Sequence, residues 1–289
     1  MAILFSRARI PLSPFIVAAL FLGIVAPAHS EDSGSRNVIC LIDYSSSLKP
    51  ATLDIYAKSI SEDIFTNLGG HDVLQVLPID EGSKTHSSTI VYEDMSDHFK
   101  RDRKDGIVGA EKKIQKRADI WIASETPKIR AEILRQRDER KQFSNHTDLF
   151  SVLEQSASHF KHTEEEEAKA KAWRILNGGE PPVQWDNVIV IFSDMIHESQ
   201  AYNFDKGSGP DEKQTGKILA DLSSRKRLPD LKGVKVYVIG STGRNTEQVE
   251  NIQRFWAKYF KQTGADLLHY DYEASKDMAH EFRAGRHVQ

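Results

Sequence analysis

Two stretches of this chain, 38–43 (VICLID) and 187–194 (NVIVIFSD), are almost continuously apolar and end in a carboxylate. A third, 234–241 (VKVYVIGS), is largely apolar and ends in glycine and serine. A strand with one wet face alternates apolar and polar residues, whereas a continuous run is buried on both faces. Between such runs the periodicity changes. Leu53, Tyr56, Ala57, Ile60, Ile64 and Leu68 recur every three or four residues across 52–68, with Ser59, Ser61, Glu62 and Asp63 between them. Gly69-Gly70 then closes this helical pattern. Residues 72–79, 89–92 and 266–272 read as further strands, and 246–263 as an amphipathic helix. Buried strands alternating with helices predict an α/β fold whose parallel sheet is covered on both faces. Open sheets of this kind bind ligands beyond the carboxyl ends of their strands. Asp43 with its following serines, and Ser193-Asp194, both fall at that edge.

Two segments interrupt the alternation. Residues 100–141 carry fourteen Lys/Arg against eight Asp/Glu, and Ile107, Ala110, Ile114, Ala118, Trp121 and Ile122 keep helical spacing. Pro127 is expected to kink or split this run before Ile129, Ile133 and Leu134 resume it. The segment reads as a basic helical insertion of one or two helices. Residues 163–176 read as a solvated helix, with Glu165–Lys169 and Glu167–Lys171 at i,i+4. The stretch 203–216 reads as a loop. Trp173 and Trp256 are read as packing residues.

The N-terminus carries Arg7 and Arg9, an apolar run at 15–25 and small residues at 26–30. That layout is a secretory leader over 1–30, too short for a span of about 20 residues. Residues 31–289 are then a single exported domain, periplasmic or secreted, with no transmembrane span after cleavage. The lone Cys40 lies inside a strand run and is read as a small buried apolar residue. Without Arg7 and Arg9 the formal net charge moves from −3 to −5, which excludes a globally basic nucleic-acid binder.

The strand end Asp43-Tyr-Ser45-Ser-Ser47 has the form D-x-S-x-S. As the chain turns into a helix, residues 43, 45 and 47 can converge above the sheet edge, while Ser46 faces elsewhere. Carboxylate and hydroxyl oxygens suit a small hard cation such as Mg²⁺. Together with Thr147 in SNHTDLF and Asp194 ending VIVIFSD, this set resembles the von Willebrand factor A (vWA) domain and its metal-ion-dependent adhesion site (MIDAS). The resemblance spans about 37–272. It implies a doubly wound, Rossmann-like, mostly parallel six-stranded sheet. It also implies Ser45, Ser47 and Thr147 on a divalent metal (Mg²⁺, with Mn²⁺ or Ca²⁺ as alternatives), Asp43 and Asp194 acting largely through water, and a protein partner whose acidic residue completes the shell. The chain departs from the family in its long 47–147 gap and in Met195, which stands where the family usually has glycine. His146 and His197 are expected to be exposed loop residues; with Glu198 they could otherwise admit a softer metal.

The expectation is thus a binding protein rather than an enzyme. One alternative keeps the scaffold and docks through the basic insertion, the metal being structural or absent. A weaker one is a serine acyl enzyme, since Ser46-x-x-Lys49, Ser193-Asp194-Met195 and Lys213–Gly216 loosely match acyl-transfer motifs.

Overall fold

The computed structural model describes residues 35–81, 89–101, 109–143, 145–177 and 185–283. The leader read at 1–30, Ile107 of the basic segment and the side chain of Trp173 lie outside them. Six strands form one sheet: β1 (Ser35–Asp43), β2 (Val73–Ile79), β3 (Val91–Asp94), β4 (Trp185–Phe192), β5 (Lys235–Ile239) and β6 (Asp266–Asp271). Their order is β3-β2-β1-β4-β5-β6. Every neighbouring pair is parallel except β2–β3. The α/β class therefore matches what the apolar runs predict, and the mostly parallel six-stranded sheet matches what the resemblance implies.

The order matters for the site. From β1 the chain works outward through β2 and β3; from β4 it works outward through β5 and β6 on the other side. The chain leaves β1 toward one edge and β4 toward the other, the strand order at which open α/β sheets bind ligands beyond the carboxyl ends. The register places Ile42 beside Phe192, so Asp43 and Asp194 stand at that switch point.

Alternate residues of a strand point to opposite faces, and β1 feeds two apolar layers. Val38, Cys40 and Ile42 pack with Leu53, Tyr56 and Ile60, and with Ile114, Ile122, Ile129 and Ile133. Ile39 and Leu41 pack with Leu149, Phe150, Leu222, Phe255 and Trp256. Cys40 is fully buried, and burial pushes its thiol pKa up, as befits an inert apolar side chain.

The helix read over 52–68 and the loop read over 203–216 need correction, and two other helical readings change only in extent. The helix expected over 52–68 begins as α1 (Pro50–Lys58), with proline in its first turn. It then widens to π winding at Ser59–Ile64 and tightens at Phe65–Asn67. The side chains of Thr66 and Asn67 bond the carbonyls of Glu62 and Asp63 there, and Ile60, Ile64 and Phe65 stay buried. Among its described residues the basic segment forms one helix, α2 (Ala110–Glu139), within the one or two expected, and it is not split at Pro127. Pro127 lies on the exposed side, the hydroxyls of Ser124 and Thr126 bond the carbonyls of Trp121 and Ile122, and Ile122 and Ile129 bury themselves on either side of it. One lost backbone bond does not outweigh that packing.

Residues 163–176 are the second half of α3 (Leu149–Asn177), not a helix of their own. Lys169 pairs with Glu166, and Glu165 approaches Lys161, so the predicted Glu165–Lys169 pair gives way to other partners. The loop read over 203–216 ends early, because α4 (Glu212–Ser224) starts at a capping box between Asp211 and Gln214. The helix read at 246–263 is α5 (Thr246–Thr263), and a short α6 (Ala279–Phe282) follows β6. Among the described residues no helix is long and apolar enough to cross a membrane.

Candidate metal centre

Asp43 is the last residue of β1 and is fully buried. Its Oδ1 accepts from the backbone N–H of Ser45 at 2.7 Å, and its Oδ2 accepts from Ser193 Oγ at 2.9 Å. The first bond is an Asx turn that folds the chain back over the strand end. A second turn, from Leu48 N to Ser45 O at 3.1 Å, leads into α1. These turns bring Ser45 Oγ and Ser47 Oγ to 2.8 Å. Ser45 is buried and Ser46 and Ser47 are exposed. The alternation in D-x-S-x-S thus gathers one carboxylate and two hydroxyls, and it turns Ser46 outward.

The β4 side is built by a second Asx turn. Asp194 Oδ1 accepts from the N–H of Ile196 at 2.9 Å. Ser193 Oγ, besides donating to Asp43, accepts from the N–H of Met195 at 3.0 Å, so one hydroxyl ties the two strand ends together. Met195 has φ 65°, the left-handed region that side chains with a Cβ avoid. That is the backbone glycine supplies freely, at the one position where this chain departs from the motif. Met195 is nonetheless fixed: it is fully buried and its carbonyl accepts from Trp256 Nε1 at 2.9 Å. Trp256 is the expected packing residue, and it also holds this loop.

Thr147 is buried just ahead of α3, where Asp148 caps the helix by accepting from Ser151 N and Oγ. Two bonds fasten its loop to the β4 loop: Glu198 N to Thr147 O at 2.9 Å, and Leu149 N to His197 Nδ1 at 3.2 Å. His197 is therefore not the exposed residue the sequence suggests. It is fully buried among Phe150, Tyr202 and Phe204. Because Nδ1 accepts, Nε2 carries the proton and donates to Ser199 Oγ at 3.0 Å. Burial lowers its pKa to about 4. With both nitrogens engaged inside the fold, His197 is no metal ligand, and His146 stays exposed as expected.

Electrostatics make the two carboxylates one unit. Burial raises the Asp43 pKa, against the hydrogen bonds from Ser45 and Ser193, and the charge of Asp80 raises it further. Asp194 is pushed up to about 8, first by burial and then by the charge of Asp43, with smaller contributions from Glu198 and Asp205. Asp80, buried at the end of β2, has its own counter-ion in the buried Arg140 just past α2. Among the described residues Asp43 and Asp194 have no such partner. A buried carboxylate beside a partly buried one, with no counter-ion, favours a proton or a cation, since an isolated buried charge costs several kcal/mol. Two carboxylates beside hydroxyls are the donor chemistry of a hard divalent ion, and on that ground the residues fit one. Among the described residues no three His, Cys, Asp or Glu side chains gather as a metal cage; hydroxyls supply most of this donor set.

Several neighbours of the site escape a reading from sequence. Ser193 bridges the strand ends, Arg140 neutralises Asp80, and Tyr44 donates its hydroxyl to Ile133 O of α2 at 2.9 Å. The pairing of Ser193 with Asp194 at a strand end is a signal for the first. The other two join residues 60 and 89 positions apart, and no local pattern marks them. Comparison of the chain with protein-family models finds no match, and comparison with curated proteins finds none either.

Proposed function

We propose that the chain is an exported vWA-like binding protein with a doubly wound sheet, which takes a divalent cation at a MIDAS-type centre and through it recognises an acidic residue of a protein partner. What carries this reading is the pairing of Asp43 and Asp194. Asp43 lies buried and Asp194 partly buried at the carboxyl ends of β1 and β4, without a counter-ion among the described residues, beside the converged hydroxyls of Ser45 and Ser47. Ser45, Ser47 and Thr147 would hold the ion, with Asp43 and Asp194 behind water. The bound cation supplies an electron-poor centre that seeks one more anionic oxygen. Asp43 keeps its loop wound through Ser45 N and tied to β4 through Ser193, so the serines arrive preset. The leader at 1–30 directs the domain to the periplasm or the medium, and α2 is an insertion in the family's plan.

Docking through α2 stays as a second reading because that helix leaves Lys112, Lys113, Lys116, Arg117 and Ile120 exposed. Capture of partners from periplasmic extract, with and without chelator, separates the two. Binding abolished by chelator and by Asp194→Ala is expected. Binding indifferent to chelator but lost on neutralising Lys112, Lys113, Lys116 and Arg117 would move the docking surface to α2. Covalent labelling of Ser46 by an acylating probe would instead support the serine enzyme; no catalysis is expected.

A further inference from the structure

Tyr56 lies thirteen residues beyond Asp43 on α1, where periodicity reads it as an ordinary core position. It is 1% exposed, and its ring packs on Phe192, the last residue of β4, with centroids 5.3 Å apart. The hydroxyl end is pressed against Gly240, just past β5. A Cβ built on Gly240 would stand 2.0 Å from the Tyr56 hydroxyl oxygen and 2.9 Å from Cζ. Gly240 also has φ 87°, so a side chain is barred there by backbone and by contact alike. The phenol thus runs beneath the sheet's carboxyl edge and presents its hydroxyl where β4 and β5 end.

Two observations give that hydroxyl a role. Its ring lies on Phe192, two residues before Asp194, and burial, followed by the charges of Asp43 and Asp194, holds its pKa up. No described residue hydrogen-bonds it. The other phenol that feels Asp194, Tyr270, is already bonded to Ser241 Oγ at 2.9 Å. A hydroxyl with no protein partner that keeps a trace of exposure, aimed at the ends of β4 and β5, is free to donate to an oxygen on the solvent side of that edge.

We infer that Tyr56 is a positioning residue of the metal centre, its hydroxyl donating to an oxygen of the hydrated cation's shell and so orienting the water that Asp43 and Asp194 hold. This rests on the metal centre proposed above. Groups behind the direct ligands commonly change metal affinity by about 10- to 100-fold when removed. Tyr56→Phe removes the one oxygen and keeps the ring against Phe192.

The test is Mg²⁺ titration calorimetry on the wild-type chain and on Tyr56→Phe, with thermal unfolding of both in chelator and tyrosine difference absorption on adding Mg²⁺. The expected result is equal unfolding in chelator, roughly ten-fold weaker Mg²⁺ binding by the variant, and a tyrosine difference band in the wild type that the variant lacks. Equal affinity with an unchanged difference band would overturn the inference, as would lower stability in chelator at unchanged affinity, which assigns Tyr56 to packing alone. Absence of Mg²⁺ binding by the wild type itself would sink the metal centre and this inference together.

Discussion

The two strand ends that meet at the switch point are built alike and loaded differently. Both close with an Asx turn, from Ser45 N to Asp43 and from Ile196 N to Asp194. Asp43, however, has both oxygens bonded within the protein and no exposed surface. Asp194 has one oxygen bonded, keeps some exposure, and is followed by a methionine in a glycine conformation. The first loop is a fixed wall; the second holds strain and a carboxylate with an oxygen to spare. Asp43 is therefore expected to matter to the fold as well as to metal, and Asp194 mainly to metal.

Replacing each aspartate with alanine is the sharpest way to break that contrast. Asp43→Ala orphans the N–H of Ser45 and the hydroxyl of Ser193, and should cost about 2–4 kcal/mol of stability at one to a few kcal/mol per abandoned buried donor. Asp194→Ala releases one N–H and also removes a like charge, so metal-free stability should change by less than about 1 kcal/mol. Urea unfolding in chelator measures both; equal costs would erase the distinction.

The β4 loop has a pH dependence of its own through His197. Burial holds its pKa near 4, so the folded state keeps it neutral while the unfolded chain takes up a proton below about pH 6.5. The unfolded state thus binds more protons at His197 between pH 6.5 and 4, and the histidine's share of stability falls as pH falls through that window, by about 3 kcal/mol in all. Asp194, pushed up to about 8, contributes with the opposite sign over the same range, so the His197 share is read as the difference between wild type and variant. Between pH 7 and 4.5 the wild type should lose more stability than His197→Gln in urea unfolding; equal pH dependence of the two would mean the imidazole is not sealed.

Met195→Gly probes the strain directly. Relief of the left-handed backbone returns about 1 kcal/mol, while loss of a fully buried methionine costs about 2–5 kcal/mol. The expected net is a destabilisation of about 1–4 kcal/mol, seen as a lower melting temperature. A variant more stable than the wild type would show that the loop, not the side chain, dominates. Ser46→Ala should do least, within about 0.5 kcal/mol and with unchanged Mg²⁺ affinity by titration, because Ser46 faces outward between two proposed ligands.

How legible each part was depends on how local its cause is. The end of β1 shows in sequence because an apolar run, a turn-forming carboxylate and alternating hydroxyls are adjacent, and the turn then acts as that spacing suggests. The start of α4 was equally local, in Asp211 and Gln214, but it sits behind a Gly- and Pro-containing stretch that reads as loop. Pro127 signalled a break that tertiary packing on both sides of it overrides. His197 reads as exposed because the polar Glu198, Ser199 and Gln200 follow it, and its burial comes from Phe150 and Phe204, which belong to other segments. Tyr56 shows the limit: periodicity says that it is buried, and only the approach of Gly240 says where its hydroxyl is aimed.

The central claim is that Asp43, Ser45, Ser47, Thr147 and Asp194 form a site for a divalent cation. Calorimetric titration of the whole chain with Mg²⁺, after treatment with chelator, tests it most directly. The expected result is saturable binding of one ion per chain, lost in Asp194→Ala while that variant unfolds as cooperatively as the wild type. Absence of heat and of any thermal stabilisation with Mg²⁺ or Mn²⁺ in the wild-type protein would contradict it.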